Sequence, residues 1–178
     1  MTRIIAGVWG GRRLATPRGS DTRPTSDRVR EALFSSLESE LGGFDGLRVL
    51  DLYAGSGALG LEALSRGAEQ ADFVETNRNA AAVIKRNIAE LGLPQGRARV
   101  HAIPVDRFVS TLVDGFDLVF LDPPYKVPTD GVAAVVSALP PGGLIVVERP
   151  SREAFAWPET RSGLRERRYG ETTLWYGR

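Results

Sequence analysis

The stretch Leu47–Ala68, LRVLDLYAGSGALGLEALSRGA, decides the fold. Leu47–Tyr53 is an apolar run of strand length and reads as a buried strand. Ala58–Arg66 reads as a helix. Between them, Gly55, Gly57 and Gly60 satisfy G-x-G-x-x-G, directly after a strand and opening a helix. Glycines placed so let the backbone approach a ligand closely at a helix N-terminus, where unpaired N–H groups favour negative or electron-rich atoms. The plain alternative is a tight turn with no ligand. Glu75 argues against it, 20 residues after Gly55, at the end of the next strand, where a carboxylate can take ribose hydroxyls.

Downstream the pattern alternates. Asp72–Glu75 reads as a second short strand and Asn79–Leu91 as a helix stopped by Gly92. Arg99–Ile103 is a third strand and Phe116–Leu121 a fourth. Thr129–Leu139 is a helix and Gly143–Glu148 a fifth strand. Strands alternating with helices predict a parallel sheet covered on both faces. The tail breaks the rhythm: Leu164–Tyr169 and Thr172–Tyr176 flank Gly170 and predict an antiparallel hairpin closing the sheet edge.

Upstream, RPTSDRVREALFSSLESEL predicts a helix. Thr25 or Ser26 suits its cap, Asp27 its first turn, and Val29, Leu33, Leu37 and Leu41 with Ala32 its apolar face. Gly42-Gly43 ends it. The opening, RIIAGVWGGRRLATP, has two short apolar runs around Gly10-Gly11, which predicts a hairpin turn.

The chain has 178 residues, which predicts one domain with a small appendage. The apolar fraction of 42% allows a sizeable core. With no cysteine there are no disulfides or thiolate metal sites, and the single histidine, His101, speaks against a histidine-based zinc site, so no metal is expected. No apolar run approaches the ~20 residues needed to span a bilayer, and the first 30 residues lack a signal-peptide pattern. A cytoplasmic monomer without membrane contact is the expectation. Net charge is +1 but unevenly spread. Residues 1–30 hold seven arginines against two aspartates, and residues 149–178 hold seven arginines against four glutamates, flanking an acidic centre. A basic head and tail suit phosphates, and equally suit solvated termini.

The ligand class follows from Asp51. A nicotinamide dinucleotide would place pyrophosphate at the glycine loop, where a neighbouring carboxylate is unwelcome. A carboxylate at the strand end suits a cationic group, such as the ammonium of a methionine moiety. S-adenosylmethionine has that amine, a ribose for Glu75 and an adenine whose amine Asp106, after the third strand, can accept from.

The fourth strand ends in Asp122-Pro123-Pro124-Tyr125. In an open α/β sheet, ligands bind beyond the carboxyl ends of the strands, near the switch in strand order. Two prolines fix φ and remove two N–H donors, which predicts a rigid corner with free carbonyl acceptors. Asp122 adds an acceptor-only carboxylate and Tyr125 a flat face for a base. Acceptors plus a stacking ring make a clamp for a planar ring bearing an exocyclic NH2. Hydrogen bonds to Asp122 and the Pro123 carbonyl would orient that poor nucleophile for in-line attack on a methyl group held one strand away.

These residues resemble a class I, S-adenosylmethionine-dependent methyltransferase acting on exocyclic amines. More narrowly, the chain resembles the bacterial small-subunit ribosomal RNA guanine-N2 methyltransferase family RsmD. The likeness is carried by RIIAG near the start, RPTSDRVREALFSSL at Arg23–Leu37, DLYAGSGALGLEALSRGA at Asp51–Ala68, FVE at Phe73–Glu75, DPPY, and YGET at Tyr169–Thr172. DPPY alone is shared by amine methyltransferases of DNA, RNA and protein. The resemblance implies an α/β fold with a Rossmann-like, mostly parallel seven-stranded sheet, an antiparallel C-terminal hairpin and a short N-terminal β-hairpin extension. It implies a basic extension over residues 1–22, a methyltransferase domain over 23–178, and a guanine N2 target in 16S rRNA of the 30S subunit or its assembly intermediate. By position, Asp51, Tyr53, Ala54, Gly55, Gly57, Glu75 and Asp106 would hold S-adenosylmethionine, and Asp122, Pro123, Pro124 and Tyr125 the target guanine. Arg3, Arg12, Arg13 and Arg18 would contact RNA phosphates. Arg23, Arg28 and Arg30 would line the site, unless Arg28 and Arg30 are merely solvated helix surface. The guanine would be extruded from structured RNA to reach the pocket.

Three other readings compete. A DNA adenine-N6 methyltransferase would also offer an amine to DPPY, but 178 residues leave little room for a sequence-reading domain. A non-catalytic RNA-binding assembly factor has no need of Asp51, Glu75 and DPPY together. A nicotinamide-dependent oxidoreductase leaves DPPY without a purpose.

Overall fold

The structure is a computed structural model, and it describes residues 2–19 and 27–178. The expected cap residues Thr25 and Ser26, and Arg23, lie outside the described residues.

Seven strands form one sheet. In chain order they are β3 (Arg48–Leu52), β4 (Gln70–Val74), β5 (Ala98–His101), β6 (Leu118–Leu121), β7 (Leu144–Pro150), β8 (Gly163–Tyr169) and β9 (Thr172–Gly177). Their spatial order is β5-β4-β3-β6-β7-β9-β8. The first five are parallel, and β9 and β8 close the edge antiparallel. The order reverses between β3 and β6, so a crevice opens beyond their carboxyl ends. Every residue of β6 and β7 is buried, as a strand covered on both faces requires.

Helices cover both faces. α1 (Asp27–Leu41), α2 (Ala58–Ser65) and α3 (Arg78–Leu91) pack on one side, through Leu33, Phe34, Leu61, Leu64 and Ile84. α4 (Val105–Val109) and α5 (Thr129–Ala138) pack on the other, through Val105, Phe108, Val132 and Val136. α3 has clear end signals: the Asn77 side chain accepts from the N–H groups of Asn79 and Ala80, and Gly92 caps the C-terminus in the left-handed region. His101 bonds Asp72 across β5 and β4 at 2.7 Å, holding that aspartate below the usual carboxylate range despite its burial.

The N-terminal hairpin turns at Gly10-Gly11, where expected: the Arg12 N–H donates to the Trp9 carbonyl at 3.0 Å around them. β1 (Thr2–Arg3) and β2 (Arg13–Leu14) pair over only two residues each, and a long loop joins them. Beyond that ladder the hairpin continues through the Ile4 N–H to the Arg12 carbonyl at 2.9 Å and the Gly11 N–H to the Ile4 carbonyl at 2.8 Å, and its backbone also bonds to α2. Glu62 accepts from the N–H groups of Ile5 and Ala6, and Ser65 from Val8 and Trp9 through its carbonyl and hydroxyl. Gly7 makes that approach possible: a Cβ there would lie 1.9 Å from the Ser65 carbonyl oxygen. Ile4 and Leu14 join the main core.

Candidate active site

β3 and β6 are neighbours in register, with Leu52 opposite Leu121. The chain therefore leaves β3 into the glycine loop, and β6 into the Asp122–Tyr125 corner, at the same level. Tyr53 turns the first of these exits. It sits at φ 60°, the one non-glycine residue with positive φ among the described residues. Such backbone costs on the order of 1 kcal/mol and gathers at functional sites. Burial, and then the Asp106 carboxylate, push its phenol pKa upward, while the Arg149 guanidinium opposes.

The glycines divide by task. Gly55 has φ 59° and nothing within 4 Å of where a Cβ would stand, so it faces open space. Gly57 is also left-handed, at φ 80°, and opens α2. Gly60 serves packing: a Cβ would fall 2.4 Å from the Phe73 ring. Ala54 donates its N–H to the Val74 carbonyl, tying the loop to β4.

Two carboxylates underlie the loop. Asp51 is 1% exposed, and its Oδ2 accepts from the Gly60 N–H at 2.9 Å. Burial raises its pKa to about 8, Gly60 resists this, and the charge of Glu75 adds to it. Glu75 is half-buried and spans the loop: Oε2 accepts from the Gly55 N–H and Oε1 from the Asn77 N–H, both at 2.8 Å. Each oxygen keeps a second lone pair for a hydroxyl donor. Asp106 is exposed on the first turn of α4, a short helix that follows the third strand of the parallel series.

At the corner, Pro123 is buried, Asp122 and Pro124 are half-buried, and Tyr125 is 39% exposed. The expectation of free proline carbonyls needs one correction: the Pro124 carbonyl accepts from the Val127 N–H at 2.9 Å, closing a turn. Arg149 at the end of β7 anchors that turn. It is 1% exposed, and its Nη2 donates to the Val127 carbonyl at 3.0 Å and to Glu153 at 2.6 Å. Glu153, held below its usual range by Arg149, also accepts from Thr129 at the start of α5. Sequence reasoning missed Arg149, although a guanidinium at the end of the apolar run LIVVERP was a visible signal.

Residues 2–178 match the family model described as conserved hypothetical protein 95, that of the RsmD family. The chain belongs to that family. A Haemophilus influenzae relative, "Ribosomal RNA small subunit methyltransferase D", is 35% identical over 174 residues, covering 94% of this chain and 89% of the relative. The Escherichia coli protein of that name is 42% identical over 124 residues, and the match spans 60% of its length. Among solved structures, "Putative methyltransferase yhhF from Escherichia coli" superposes with a TM-score of 0.82 at 33% identity, covering 98% of this chain and 96% of the other. The fold is that of class I methyltransferases.

The arginines of this RsmD-family chain are not equivalent. Arg13, Arg18 and Arg28 are exposed. Arg3 is exposed but paired with Asp27 at 3.1 Å. Arg12 donates to the Glu90 carbonyl at 2.7 Å, at the end of α3. Arg30 departs from its expected place at the RNA or solvent surface: it is 1% exposed and donates to Asp27 and to the Arg3 carbonyl, both at 2.7 Å. It lies on the packed face of α1, one residue along from Val29. A second residue that the sequence reading missed is Asn87, buried on the inner face of α3. It bonds both the N–H and the carbonyl of Ala15, and donates to the Ser56 carbonyl at 3.0 Å, joining the extension to the glycine loop.

Proposed function

We propose that this protein transfers a methyl group from S-adenosylmethionine to the exocyclic N2 amine of a guanine in small-subunit ribosomal RNA. The observation that carries this is the juxtaposition of two exits on neighbouring strands: the glycine loop after β3 and the Asp122–Tyr125 corner after β6. RsmD-family membership and the names of the relatives support rRNA as the substrate.

The residues present fit S-adenosylmethionine. Gly55 leaves open space for close approach, Glu75 keeps lone pairs for ribose hydroxyls, and Asp51 offers a carboxyl to an ammonium. When bound, the cofactor supplies an electrophilic methyl group on sulfur. The protein's task is then orientation. Asp122 and the Pro123 carbonyl accept the two N–H groups of the amine and turn its lone pair toward the glycine loop; the methylated nitrogen then gives up a proton to Asp122 or to solvent. Tyr125 stacks on the base. Most of the acceleration comes from positioning and fixed dipoles. The working substrate is the 30S particle or its assembly intermediate, met by a cytoplasmic monomer.

Incubating the protein with labelled cofactor and 30S particles, naked 16S rRNA or DNA, followed by nucleoside analysis, tests the reading. Label in N2-methylguanosine is expected; label only in N6-methyladenine from DNA overturns it.

A further inference from the structure

The basic tail carries seven arginines over residues 149–178, and the activity above gives its charge no task. The structure sorts them. Arg149 is buried under the corner. Arg161 donates to carbonyls of Val136, Leu139 and Pro140 at the end of α5. Arg165 bonds Ser36 and Glu40 and stacks on the Tyr176 ring at 3.8 Å. Arg178 follows β9 at the opposite end of the sheet, where Gly177 pairs with Ile145 near the start of β7.

The three that remain are all exposed, and all lie at the reactive edge. Arg167 and Arg168 pair with Leu174 and Thr173 of β9, which pair in turn with Glu148 and Arg149 of β7. They therefore stand level with the carboxyl end of β7. Successive strand residues point to opposite faces, so the two arginines straddle the edge strand. Arg152 follows β7 directly, 73% exposed, with its guanidinium 5.9 Å from the Tyr125 ring centroid. Its contact with Glu153 is long, at 4.0 Å, and that carboxylate is engaged by Arg149 at 2.6 Å. Lys126, also exposed, adjoins Tyr125. Glu166 and Glu171 are exposed acids of this edge and Glu40, paired with Arg165 at 2.6 Å, lines the groove of Arg167, so the four cations outnumber them. Arg167 also lines a groove of about 510 Å³ between α1 and β8, with the hydroxyls of Ser35 and Ser39 on its other wall.

We propose that Lys126, Arg152, Arg167 and Arg168 form a second RNA-phosphate surface, gripping the strand on the side of the target pocket away from the cofactor loop. The strand order places it there: the glycine loop and Glu75 belong to β3 and β4, the corner with Lys126 to β6, and the three arginines to β7 and β8 beyond it. Exposed Arg18, three residues beyond the Ala15 that Asn87 ties to the Ser56 carbonyl of the glycine loop, provides the opposite anchor. RNA held at both sides presents its extruded base over Tyr125. The groove beside Arg167 also holds the Glu40 carboxylate, which Arg165 neutralises at 2.6 Å, and its serines and arginines are groups that contact phosphate oxygens.

This inference rests on the rRNA reading, and the experiment separates the two. Affinity of the full-length protein for a 16S rRNA transcript is measured by fluorescence anisotropy across salt concentrations, beside steady-state methylation. Replacing Arg152, Arg167 and Arg168 together by glutamine is expected to lower the slope of log K against log salt by about 2 to 3. The KM for RNA should rise at least tenfold, with cofactor affinity and thermal midpoint unchanged. Lysine at the three positions should restore the slope, and Arg178→Gln should leave it as in the parent. A single Arg152→Gln variant, altering one exposed side chain, should lower it by about 1. A parent-like slope in the triple glutamine variant overturns the second surface while leaving the rRNA reading intact. A parent protein that binds no RNA overturns both.

Discussion

Asp51 and Phe120 are register partners in the parallel ladder of β3 and β6. Neighbouring strands lie about 4.8 Å apart, so the glycine loop and the proline corner, each beginning a few residues later, face one crevice. On the proposed reading the glycine loop holds the cofactor and the corner receives the target amine. Asp122→Ala is expected to reduce single-turnover methyl transfer by at least about 100-fold, the scale of losing one aligned polar group at a reacting centre. Cofactor affinity by calorimetry should stay within about threefold. Turnover near the parent's would remove Asp122 from the chemistry.

Asp51 gives the cofactor site a pH dependence. Its carboxyl, raised to about 8 mainly by burial, is largely protonated at neutral pH. The sign follows from linkage: a folded-state pKa above the unfolded one contributes stability below the unfolded value, near 3.8, and that contribution is lost as pH rises through about 8. An ammonium placed against Asp51 favours the carboxylate, so binding of S-adenosylmethionine should expel a proton. Affinity should climb about tenfold per pH unit up to pH 7 and level off above 8. Calorimetry in buffers of differing ionisation heat should count up to about one proton released at pH 7. Asp51→Asn should abolish the release; equal proton counts in both proteins would show that the ammonium does not meet Asp51.

The two ends of the glycine motif should fail differently. Gly60→Ala drives a Cβ into the Phe73 ring, and overpacking of this kind costs about 1–3 kcal/mol of stability. Gly55→Ala meets no neighbour, and its cost is left-handed backbone strain, about 1 kcal/mol, plus a methyl group in the space kept for the ligand. Denaturant unfolding should therefore single out Gly60→Ala. Cofactor titration should single out Gly55→Ala, with at least tenfold weaker binding. Equal cofactor affinity in Gly55→Ala and the parent would mean that the open space is not the binding cradle.

Sheet and site were legible where local patterns are strong. LRVLDLY and FDLVFL are continuous apolar runs, and both become buried parallel strands. The C-terminal hairpin was marked by Gly170, which adopts φ 61° at the turn. α4 was not legible, because five residues cannot show a helical period. The docking of the N-terminal hairpin on α2 was not legible, because its partners there, Glu62 and Ser65, lie more than 50 residues away. The interior place of Arg30 was hidden for the same reason, and that of Arg149 was marked only by the apolar run LIVVERP around it. An arginine pattern does not reveal which guanidinium finds a carbonyl, such as that of Arg3 or Val127, on a distant segment.

Glu62 tests whether the extension works as part of the core. It is fully buried, and its two oxygens accept from Ile5, Ala6 and the Arg66 Nε at 2.7, 3.0 and 2.9 Å. Removing it orphans two backbone N–H groups and leaves Arg66 to its exposed partner Glu38. Glu62→Ala is expected to cost about 3–5 kcal/mol, as for other buried pairs broken from one side. Glu62→Gln keeps the shape but turns an NH2 toward one of those N–H groups, at about 2 kcal/mol. In the glutamine variant the loss should be local: amide exchange should quicken across residues 4–14 while the β3 and β6 amides stay protected. RNA affinity should fall with it, because Arg13 and Arg18 lose their fixed positions, while cofactor binding persists. Uniformly faster exchange through the sheet would instead make the extension a part of one cooperative unit with the strands.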